Sequence, residues 1–490
     1  METQAFQGAG EPARFSAPAK AGQGRRPPEA SRMAWIRPLD YLPRGQTRRQ
    51  MLNFPHLRDF SAVGHKYRLI PQYAEGSAPQ MTAFSPSPNL TRVAKGDLCA
   101  GCGACAGLFP DRIVMQASAP GWLRPKQSGT LAATEEARIA RICPGLGQEV
   151  EPGKRLDSVL WGPYVSAQTG WATDPEVRFA GSSGGVLTIL LMHLLKSGRV
   201  EAVVQTAAAP DLPIGNTTVI STDAPAVLAA AGSRYAPSAP LSDVKARMAD
   251  GRRYAFVGKP CDAAAMRALV EDDPKAAAAF PVILSFFCAG VPSHAGGKAV
   301  LQALGTDLDH VESFRFRGNG WPGRATAVLK DGGERSMSYH DSWGKILSRH
   351  VQNRCKVCAD GAGVASDVVC ADAWESDEAG YPVFEEGEGT SLILARTTLG
   401  SEILAGAIAA GRVETQPFDM GTLAAIQPGQ RERRRALLAR LTGMALAGRP
   451  IPRYRGLQVV SAARQNSLKS NLHNLIGMFR RALRRTKPQA

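Results

Sequence analysis

The chain has 490 residues, 44% of them hydrophobic and 21% charged, which is the balance of a globular protein with room for two or three domains. Its net charge of +16 would suit a nucleic-acid-binding protein, but residues 1–95 carry +8 and residues 430–490 carry +14. The stretch between them holds every cysteine and is acidic, at −6. Nucleic-acid binding by the core is therefore disfavoured.

Residues 1–90 are rich in Pro, Gly, Ala, Ser and Arg without sustained periodicity. This composition cannot bury enough apolar surface to offset the entropy of ordering, so we predict a disordered basic extension. No secretory signal is evident at its start, and we expect a cytoplasmic protein with reduced cysteines.

Residues 91–153 contain Cys99, Cys102 and Cys105 at CxxCxxC spacing and a remote Cys143 in a Cys-Pro-Gly. A CxxCxxC loop can wrap three thiolates around an iron–sulfur cubane while a distant Cys-Pro supplies the fourth. Zinc also binds four thiolates, usually from paired CxxC hairpins. The spacing predicts a 4Fe–4S cluster in a small ferredoxin-like segment, with zinc or disulfides as the alternatives.

Residues 154–430 alternate apolar strands and helical stretches, which is typical of an α/β domain with a mixed, largely parallel sheet. Strands bounded by Gly or Pro are predicted at Val200–Thr206, Tyr254–Val257 and Pro281–Phe287. The apolar run Val186 to Leu195 is too short to span a bilayer and predicts a buried helix. Phe314–Phe316 and Arg324–Leu329 flank a glycine-rich loop and predict a hairpin.

Four more cysteines of this domain form a candidate second set. Cys261 and Cys288 each follow a predicted strand, and loops at the carboxyl ends of adjacent parallel strands face one crevice. Cys355 and Cys358 would complete the set from a later loop. We predict a second 4Fe–4S cluster, with zinc or scattered buried thiols as the alternatives, and Cys370 is left without a role.

The turn Gly181-Ser-Ser-Gly-Gly185 directly precedes the apolar helix. Glycines there let backbone N–H groups approach a phosphate at the helix N-terminus. A helix capped by Ser182 or Ser183 explains the same residues. Beside two clusters, which carry single electrons, the turn favours a flavin, because hydride chemistry needs a two-electron converter.

Seven motifs occur in one order: Arg178 to Gly185, Gly232-Ser-Arg-Tyr235, Gly258-Lys-Pro-Cys261, Phe287-Cys288, Arg317-Gly-Asn-Gly-Trp-Pro-Gly323, Cys355-x-x-Cys358 and Ala371-Asp-Ala-Trp374. Between about Lys95 and Leu441 the chain thereby resembles the beta subunit family of coenzyme F420 hydrogenase and dehydrogenase. That family also includes 7-hydroxymethyl chlorophyll a reductase and the ferredoxin-type divinyl chlorophyllide reductases. Many relatives have a two-cluster ferredoxin module, whereas this chain has Phe109 before its first Pro and no second CxxCxxC, so we expect one cluster there.

The resemblance implies an iron–sulfur flavoprotein that binds FAD and reduces a conjugated or deazaflavin-type substrate. The flavin or substrate contacts that it implies are Ser182, Ser183, Gly184, Gly185, Ser233, Arg234, Tyr235, Gly258, Lys259, Arg317, Gly318 and Asn319. A proton must also reach the substrate, and Asp372 and Asp262 are the candidate donors, ahead of His340 or Tyr339. A purely structural hydrogen bond is the alternative role for each aspartate.

Residues 431–490 are predicted as a basic helical tail. Its apolar residues recur at helical spacing among arginines: Leu472, Leu475, Ile476, Phe479 and Leu483. Such a helix can lie on an anionic membrane surface, contact an acidic partner or pack its apolar stripe within the protein.

We therefore expect an oxidoreductase that passes electrons from a ferredoxin-like donor through 4Fe–4S clusters and FAD to an unsaturated small molecule. Two alternatives stay open. One is a deazaflavin oxidoreductase subunit of a larger complex, and the other is a non-catalytic cluster-bearing scaffold of an envelope or polysaccharide pathway. The expected partners are the electron donor and a small-molecule acceptor, and a homo-oligomer is a further option.

Overall fold

The computed structural model describes residues 84–375 and 383–484, so the predicted disordered extension lies outside the described residues as far as residue 83. The helices of the described residues are α1 (Pro88–Gly96), α2 (Ala104–Leu108), α3 (Ala133–Ile142), α4 (Pro175–Ala180), α5 (Val186–Lys196), α6 (Ala224–Ala229), α7 (Val244–Ala249), α8 (Pro260–Asp272), α9 (Pro274–Ala279), α10 (His294–Ala303), α11 (Asn353–Lys356), α12 (Thr398–Ala409), α13 (Leu423–Ile426), α14 (Pro428–Leu446), α15 (Val459–Arg464) and α16 (Leu468–Arg484). The strands are β1 (Ile113–Ser118), β2 (Trp122–Gln127), β3 (Gly147–Glu149), β4 (Ser166–Ala172), β5 (Ala202–Ala209), β6 (Leu212–Ser221), β7 (Tyr254–Gly258), β8 (Val282–Phe286), β9 (Val311–Arg315), β10 (Ala325–Leu329), β11 (Glu334–Met337), β12 (Val368–Asp372), β13 (Ser391–Ala395), β14 (Val413–Pro417) and β15 (Arg453–Arg455).

Eight strands form one mixed sheet in the order β14-β4-β13-β12-β8-β7-β5-β6. The inner strands β12, β8, β7 and β5 run parallel, and the flanking pairs are antiparallel. The three predicted strands are β5, β7 and β8, and the prediction of an α/β fold is confirmed. The hairpin prediction is confirmed as well, because β9 and β10 pair antiparallel and β11 adds a third strand.

Alternate side chains of β7 enter two different cores. Tyr254 and Phe256 pack with α8, whereas Ala255 and Val257 pack with residues of α5 and α12 on the opposite face. Each fully buried large side chain contributes roughly 1.5–3 kcal/mol, so helices on both faces stabilise the inner strands. The predicted apolar helix is α5, and it is buried on this second face.

The segment that carries the first cysteines is packed into the α/β domain. Helix α2 lies against α7, and α3 lies against α8. Cys102 and Ile139 belong to the same hydrophobic core as Phe256, and the Leu241 N–H donates to the Cys102 carbonyl at 3.0 Å. The predicted ferredoxin-like segment therefore shares a core with its neighbour.

The residues predicted as a basic tail are likewise integrated. The predicted boundary at residue 431 falls inside α14, which packs against α15 and α16. Strand β15 pairs in parallel with β3, just after Cys143. Helix α16 buries Met478 and Ala482, and within the described residues no helix is long and apolar enough to cross a membrane. Membrane-surface contact through α16 stays a prediction.

Gly107 on α2 marks the closest approach between the first cysteine segment and the α/β domain. A Cβ at this position would lie 1.9 Å from the Leu241 carbonyl oxygen. We expect Gly107→Ala to lower the free energy of unfolding by about 1–3 kcal/mol, the usual cost of overpacking, as measured by urea denaturation. The matched control is Gly477→Ala on α16, where a Cβ meets nothing within 4 Å and should stabilise the helix by roughly 0.5–1 kcal/mol. Equal effects of the two substitutions would contradict this account.

Candidate functional site

The first cysteine set is formed by the CxxCxxC loop and by Cys143, the residue at which α3 ends. Gly101 and Gly103 lie on either side of Cys102 and have φ of +77° and +85°, a conformation that glycine adopts without strain. The loop thereby turns back on itself, and its three cysteines come near Cys143. Cys143 and Cys105 pack against the hydrophobic core that contains Cys102, and Cys143 and Cys99 pack together against a second core.

Burial and backbone amides define the environment of the first set. Burial raises the pKa of all four thiols, and for Cys143 the pKa rises to about 11 with a contribution from the Cys99 thiolate. The Gly101 N–H donates to Cys99 Sγ at 3.4 Å, and the Gly145 amide donates to Cys143. Thiols this deeply buried lose their protons when a bound metal replaces them, so the donors suit a metal centre.

The second set comes together at the carboxyl ends of β7 and β8. Cys261 lies in the first turn of α8, Cys288 follows β8, and α11 and the next turn bring Cys355 and Cys358. Burial raises the pKa of Cys261 and Cys355 and raises the pKa of Cys288 to about 12, and thiolates of the same set add to each shift. The structure thus brings these four side chains close together. They lie where loops at the carboxyl ends of adjacent parallel strands are expected to face a common crevice.

Both sets fit an iron–sulfur cluster in donor number and surroundings. Each set supplies four thiols. Burial is the largest cause of a raised pKa for seven of the eight, and backbone N–H groups donate to a sulfur atom in each set. Such donors help to set cluster potentials. In the part of the chain that the structure describes, however, no three His, Cys, Asp or Glu side chains are arranged to hold a metal ion. The assignment of both clusters stays a prediction.

A cavity of about 270 Å³ lies beside the second set. Nine of the twelve predicted cofactor contacts line it: Ser182, Ser183, Gly185, Ser233, Arg234, Tyr235, Gly258, Lys259 and Arg317. Cys288 and Asp372 line it too, so the second thiol set borders the same space. Of the remaining predicted contacts, the Gly184 N–H donates to Ser391 Oγ, and the Gly184 carbonyl accepts a hydrogen bond from the Ala172 N–H. Gly318 packs against Gly232, and Asn319 follows it in the left-handed conformation with φ of 56°.

The turn before α5 leaves the start of that helix open to the cavity. Gly185 is the N-cap residue, with φ of +72° and no side-chain cap, so the alternative of a serine-capped helix is wrong. Ser183 Oγ instead donates to the Thr390 carbonyl at 2.9 Å, and Ser182 Oγ accepts the Ser233 N–H. Because Val186 to Thr188 line the cavity, the first N–H groups of α5 are available to an anion there.

Arg234 lines the cavity but uses its guanidinium within the protein. It donates to Asn216 Oδ1 at 3.0 Å and to the carbonyls of Phe314 and Gly215 at 2.9 and 2.6 Å. Burial lowers its pKa to about 10. These contacts connect β6 to β9. Because the guanidinium donors of Arg234 are used within the protein, a structural role suits this residue better than phosphate binding.

Arg317 and Asp372 form a bidentate ion pair in the cavity wall, at 2.6 and 2.9 Å. Trp321 Nε1 donates to the same carboxylate at 2.8 Å. The guanidinium lies over the rings of Tyr339 and Trp374, at 4.7 and 5.1 Å from their centres. Both carboxylate oxygens of Asp372 are thus occupied, so these contacts favour a positioning role over proton donation, which stays a prediction.

Asp262 is bound to Lys259 deep beneath the cavity. Lys259 Nζ donates to Asp262 Oδ2 at 2.6 Å and to Ser238 Oγ at 2.8 Å. Burial raises the pKa of Asp262 despite the neighbouring ammonium group. The carboxylate is 1% exposed, whereas Lys259 lines the cavity, so a ligand there would meet Lys259 first.

Three stacked aromatic residues, Trp321, Trp374 and Tyr339, were not predicted to have a function from the sequence, although the sequence contained a signal for them. Trp321 and Trp374 stack at 5.0 Å between centroids, and Tyr339 stacks on Trp374 at 5.8 Å. Both tryptophans belong to motifs that carry the family resemblance. Arg354, which lies between the two thiol sets, had no comparable signal.

Two family models match the chain. Residues 167–245 match the N-terminal part, and residues 251–420 the C-terminal part, of the coenzyme F420 hydrogenase/dehydrogenase beta subunit. Together they cover about half of the chain. The chain belongs to this beta subunit family. It is accordingly an electron-transfer oxidoreductase, and the predicted resemblance is confirmed. The second thiol set lies within the matched residues of this family, and the first set precedes them.

Three curated relatives share this similarity. A subunit of the F420H2 dehydrogenase of Methanosarcina mazei is 21% identical over 59% of this chain and 81% of its own length. The coenzyme F420 hydrogenase subunit beta of Methanosarcina barkeri is 24% identical over 54% of this chain and 86% of its own length. The coenzyme F420-dependent sulfite reductase of Methanocaldococcus jannaschii is 22% identical over 64% of this chain and 46% of that protein.

Among solved structures, a chain of the F420-reducing NiFe hydrogenase complex from Methanosarcina barkeri is similar, with a TM-score of 0.46 and 20% identity. The match covers 59% of this family member and 96% of that chain.

Proposed function

We propose that the protein is an iron–sulfur flavoprotein oxidoreductase. It passes electrons from a ferredoxin-like donor to an unsaturated organic substrate, with two 4Fe–4S clusters and FAD as carriers. The observation that carries this proposal is that the second set of four thiols borders the cavity through Cys288, while Arg354 links its ligand loop to the first set. When bound, the clusters supply one-electron transfer and FAD supplies hydride chemistry.

The chain's own residues bind and orient a flavin in this proposal. The open N-terminus of α5 binds the pyrophosphate, because its first N–H groups face the cavity without a capping side chain. Lys259 adds a positive charge at the cavity floor, held by Asp262 and Ser238. Trp374 and Tyr339 line the cavity with stacked rings, and Trp321 stacks on Trp374, so this side of the cavity is aromatic.

The donor would approach the first set. Exposed basic side chains lie on the segments that flank Cys99 and Cys143, including Arg92 on α1 and Arg453 and Arg455 on β15. Such a surface attracts an acidic protein and speeds its association at low ionic strength. This placement supports a protein donor of acidic character.

A second candidate is a deazaflavin oxidoreductase that works as a subunit of a larger complex. The names of all three curated relatives refer to F420, which supports this substrate class. The two candidates share the thiol sets and the cavity and differ in the acceptor. The scaffold alternative is not favoured, because the family consists of redox enzymes.

Anaerobic purification followed by iron, sulfide and flavin analysis tests the proposal. We expect about eight iron and eight sulfide per chain, with one FAD. The dithionite-reduced protein is then mixed with the deazaflavin coenzyme or with conjugated organic acceptors, and its reoxidation is followed by absorbance. Reoxidation by deazaflavin alone would select the second candidate. Protein that binds iron and sulfide without flavin would overturn the enzyme proposal.

A cavity-filling variant tests where the flavin binds. Ala231 is half-buried and lines the cavity, so Ala231→Trp should exclude the flavin and lower the bound FAD at least tenfold while iron stays unchanged. Ala229→Trp is the matched control, because Ala229 is exposed and does not line the cavity. Flavin retention by both variants would show that FAD binds elsewhere.

A further inference from the structure

We propose that Arg354 is a buried cation shared by the two thiol sets and that it raises the reduction potentials of both clusters together. This inference rests on the proposed function, because it requires clusters in both sets. It assigns a role to a residue that lies outside the seven motifs on which the family resemblance was based.

The guanidinium of Arg354 is tied to the main chain beside a cysteine of each set. Its Nη2 donates to the Pro144 carbonyl at 2.8 Å, and Pro144 follows Cys143 of the first set. Its Nη1 makes a longer contact of 3.5 Å with the Val357 carbonyl, just before Cys358 of the second set. One planar group therefore connects the ligand loops of both sets.

Neighbouring groups hold Arg354 in this position. The side chain is 2% exposed, and its guanidinium carbon lies 6.0 Å from the centre of the Tyr454 ring. Tyr454 belongs to β15, and its hydroxyl donates to the same Val357 carbonyl at 2.7 Å. The C-terminal segment thus closes over the guanidinium and keeps water from it, which strengthens its electrostatic effect.

The thiols are the counter-charges of this arginine. Within residues 84–375 and 383–484 no carboxylate forms an ion pair with Arg354, and its buried Nε has no hydrogen-bond partner. Arg354 directly precedes Cys355, and its contacts with the Pro144 and Val357 carbonyls place it beside Cys143 and Cys358. Two thiolate-bound clusters would place negative charge on both sides of this buried cation.

Reduction adds one negative charge to a cluster. A fixed cation beside it favours the reduced state and raises the reduction potential. Because Arg354 reaches both ligand loops, its removal should lower both potentials, whereas we expect Arg124 and Arg433 each to act mainly on one cluster. Arg124 acts on Cys99 and donates to Gln352, and Arg433 donates to the Cys288 carbonyl at 2.8 Å.

The test compares the midpoint potentials of the two clusters in the full-length, reconstituted protein by redox titration monitored by electron paramagnetic resonance. In Arg354→Met we expect both clusters to show at least a tenfold fall in the reduced-to-oxidised ratio at a fixed potential, which equals about 59 mV for one electron. Arg354→Lys keeps the charge and should retain most of both potentials. Arg124→Gln should shift the first cluster alone, and Arg433→Gln the second alone.

Arg396→Gln is the matched control for loss of a buried arginine. Arg396 is 0% exposed and donates to the carbonyls of Trp161, Pro163 and Ala362, none of which is next to a cysteine of either set, so both potentials should change far less than in the Arg354 variant. If the methionine variant does not fold, Arg354→Gln, which can still donate to the Pro144 carbonyl, gives the same readout. Unchanged potentials, or a shift of one cluster alone, overturn the inference. Wild-type protein that takes up fewer than two clusters overturns the proposed function and this inference with it.

Discussion

Cys143→Ala should halve the iron and sulfide of the reconstituted protein and leave its flavin in place. Each predicted cluster needs four thiolates, and Cys143 belongs to the first set only. Cys355→Ala should halve the iron in the same way through the second set, and the double variant should contain almost none. Iron, acid-labile sulfide and extracted flavin per chain are the measurements.

Cys370→Ala is the control for this comparison. Cys370 is a buried thiol of β12, and burial raises its pKa to about 12 without a contribution from another thiolate. We expect the full iron content in this variant. Loss of all iron from Cys143→Ala would mean that the second cluster cannot assemble without the first. Full iron in Cys143→Ala would remove this residue from the ligand set.

The second large effect is expected at the ion pair in the cavity wall. Arg317 is 2% exposed, and Asp372→Asn would leave its guanidinium buried without a counter-charge. Loss of one partner of a buried pair costs about 3–5 kcal/mol, and because the Asp372 side chain is 19% exposed we expect the lower end, about 3 kcal/mol. Urea denaturation measures this loss.

A double-mutant cycle with Arg317→Met separates positioning from proton donation. If the two residues act as a pair, the double variant should be no less stable than either single variant. Turnover lost in Asp372→Asn with unchanged stability would instead identify Asp372 as the proton donor. The matched control is Asp341→Asn, which removes an exposed ion pair with Lys345 and should leave stability unchanged.

Patterns among consecutive residues were sufficient to predict those elements of the fold that depend on nearby residues alone. β7 and β8 could be predicted because each is a short apolar run that ends at Gly or Pro, and the parallel order then places Cys261 and Cys288 side by side. The CxxCxxC loop also needs no distant information, because its glycines determine its curvature.

Contacts between distant segments could not be predicted in this way. The pairing of β15 with β3 depends on the packing of α14 to α16, and no periodicity in three-residue strands reveals it. Arg354 is one arginine among many in the sequence, and only the folded chain shows which carbonyls it meets. The alternative of a serine cap at the start of α5 followed local cap preference, which does not register that Gly185 packs closely against the Val177 carbonyl.

The contacts between the two extremities of the described chain determine when a cofactor could be inserted during biosynthesis. Arg92 donates to the Ile451 carbonyl, 359 residues away in sequence, and Arg449 donates to the Lys95 carbonyl. The contacts that cover the segment around Cys99 and Cys143 can therefore form only after Ile451 has left the ribosome. Insertion of a cluster at the first ligand loop before that point would meet a less enclosed site than the folded chain presents.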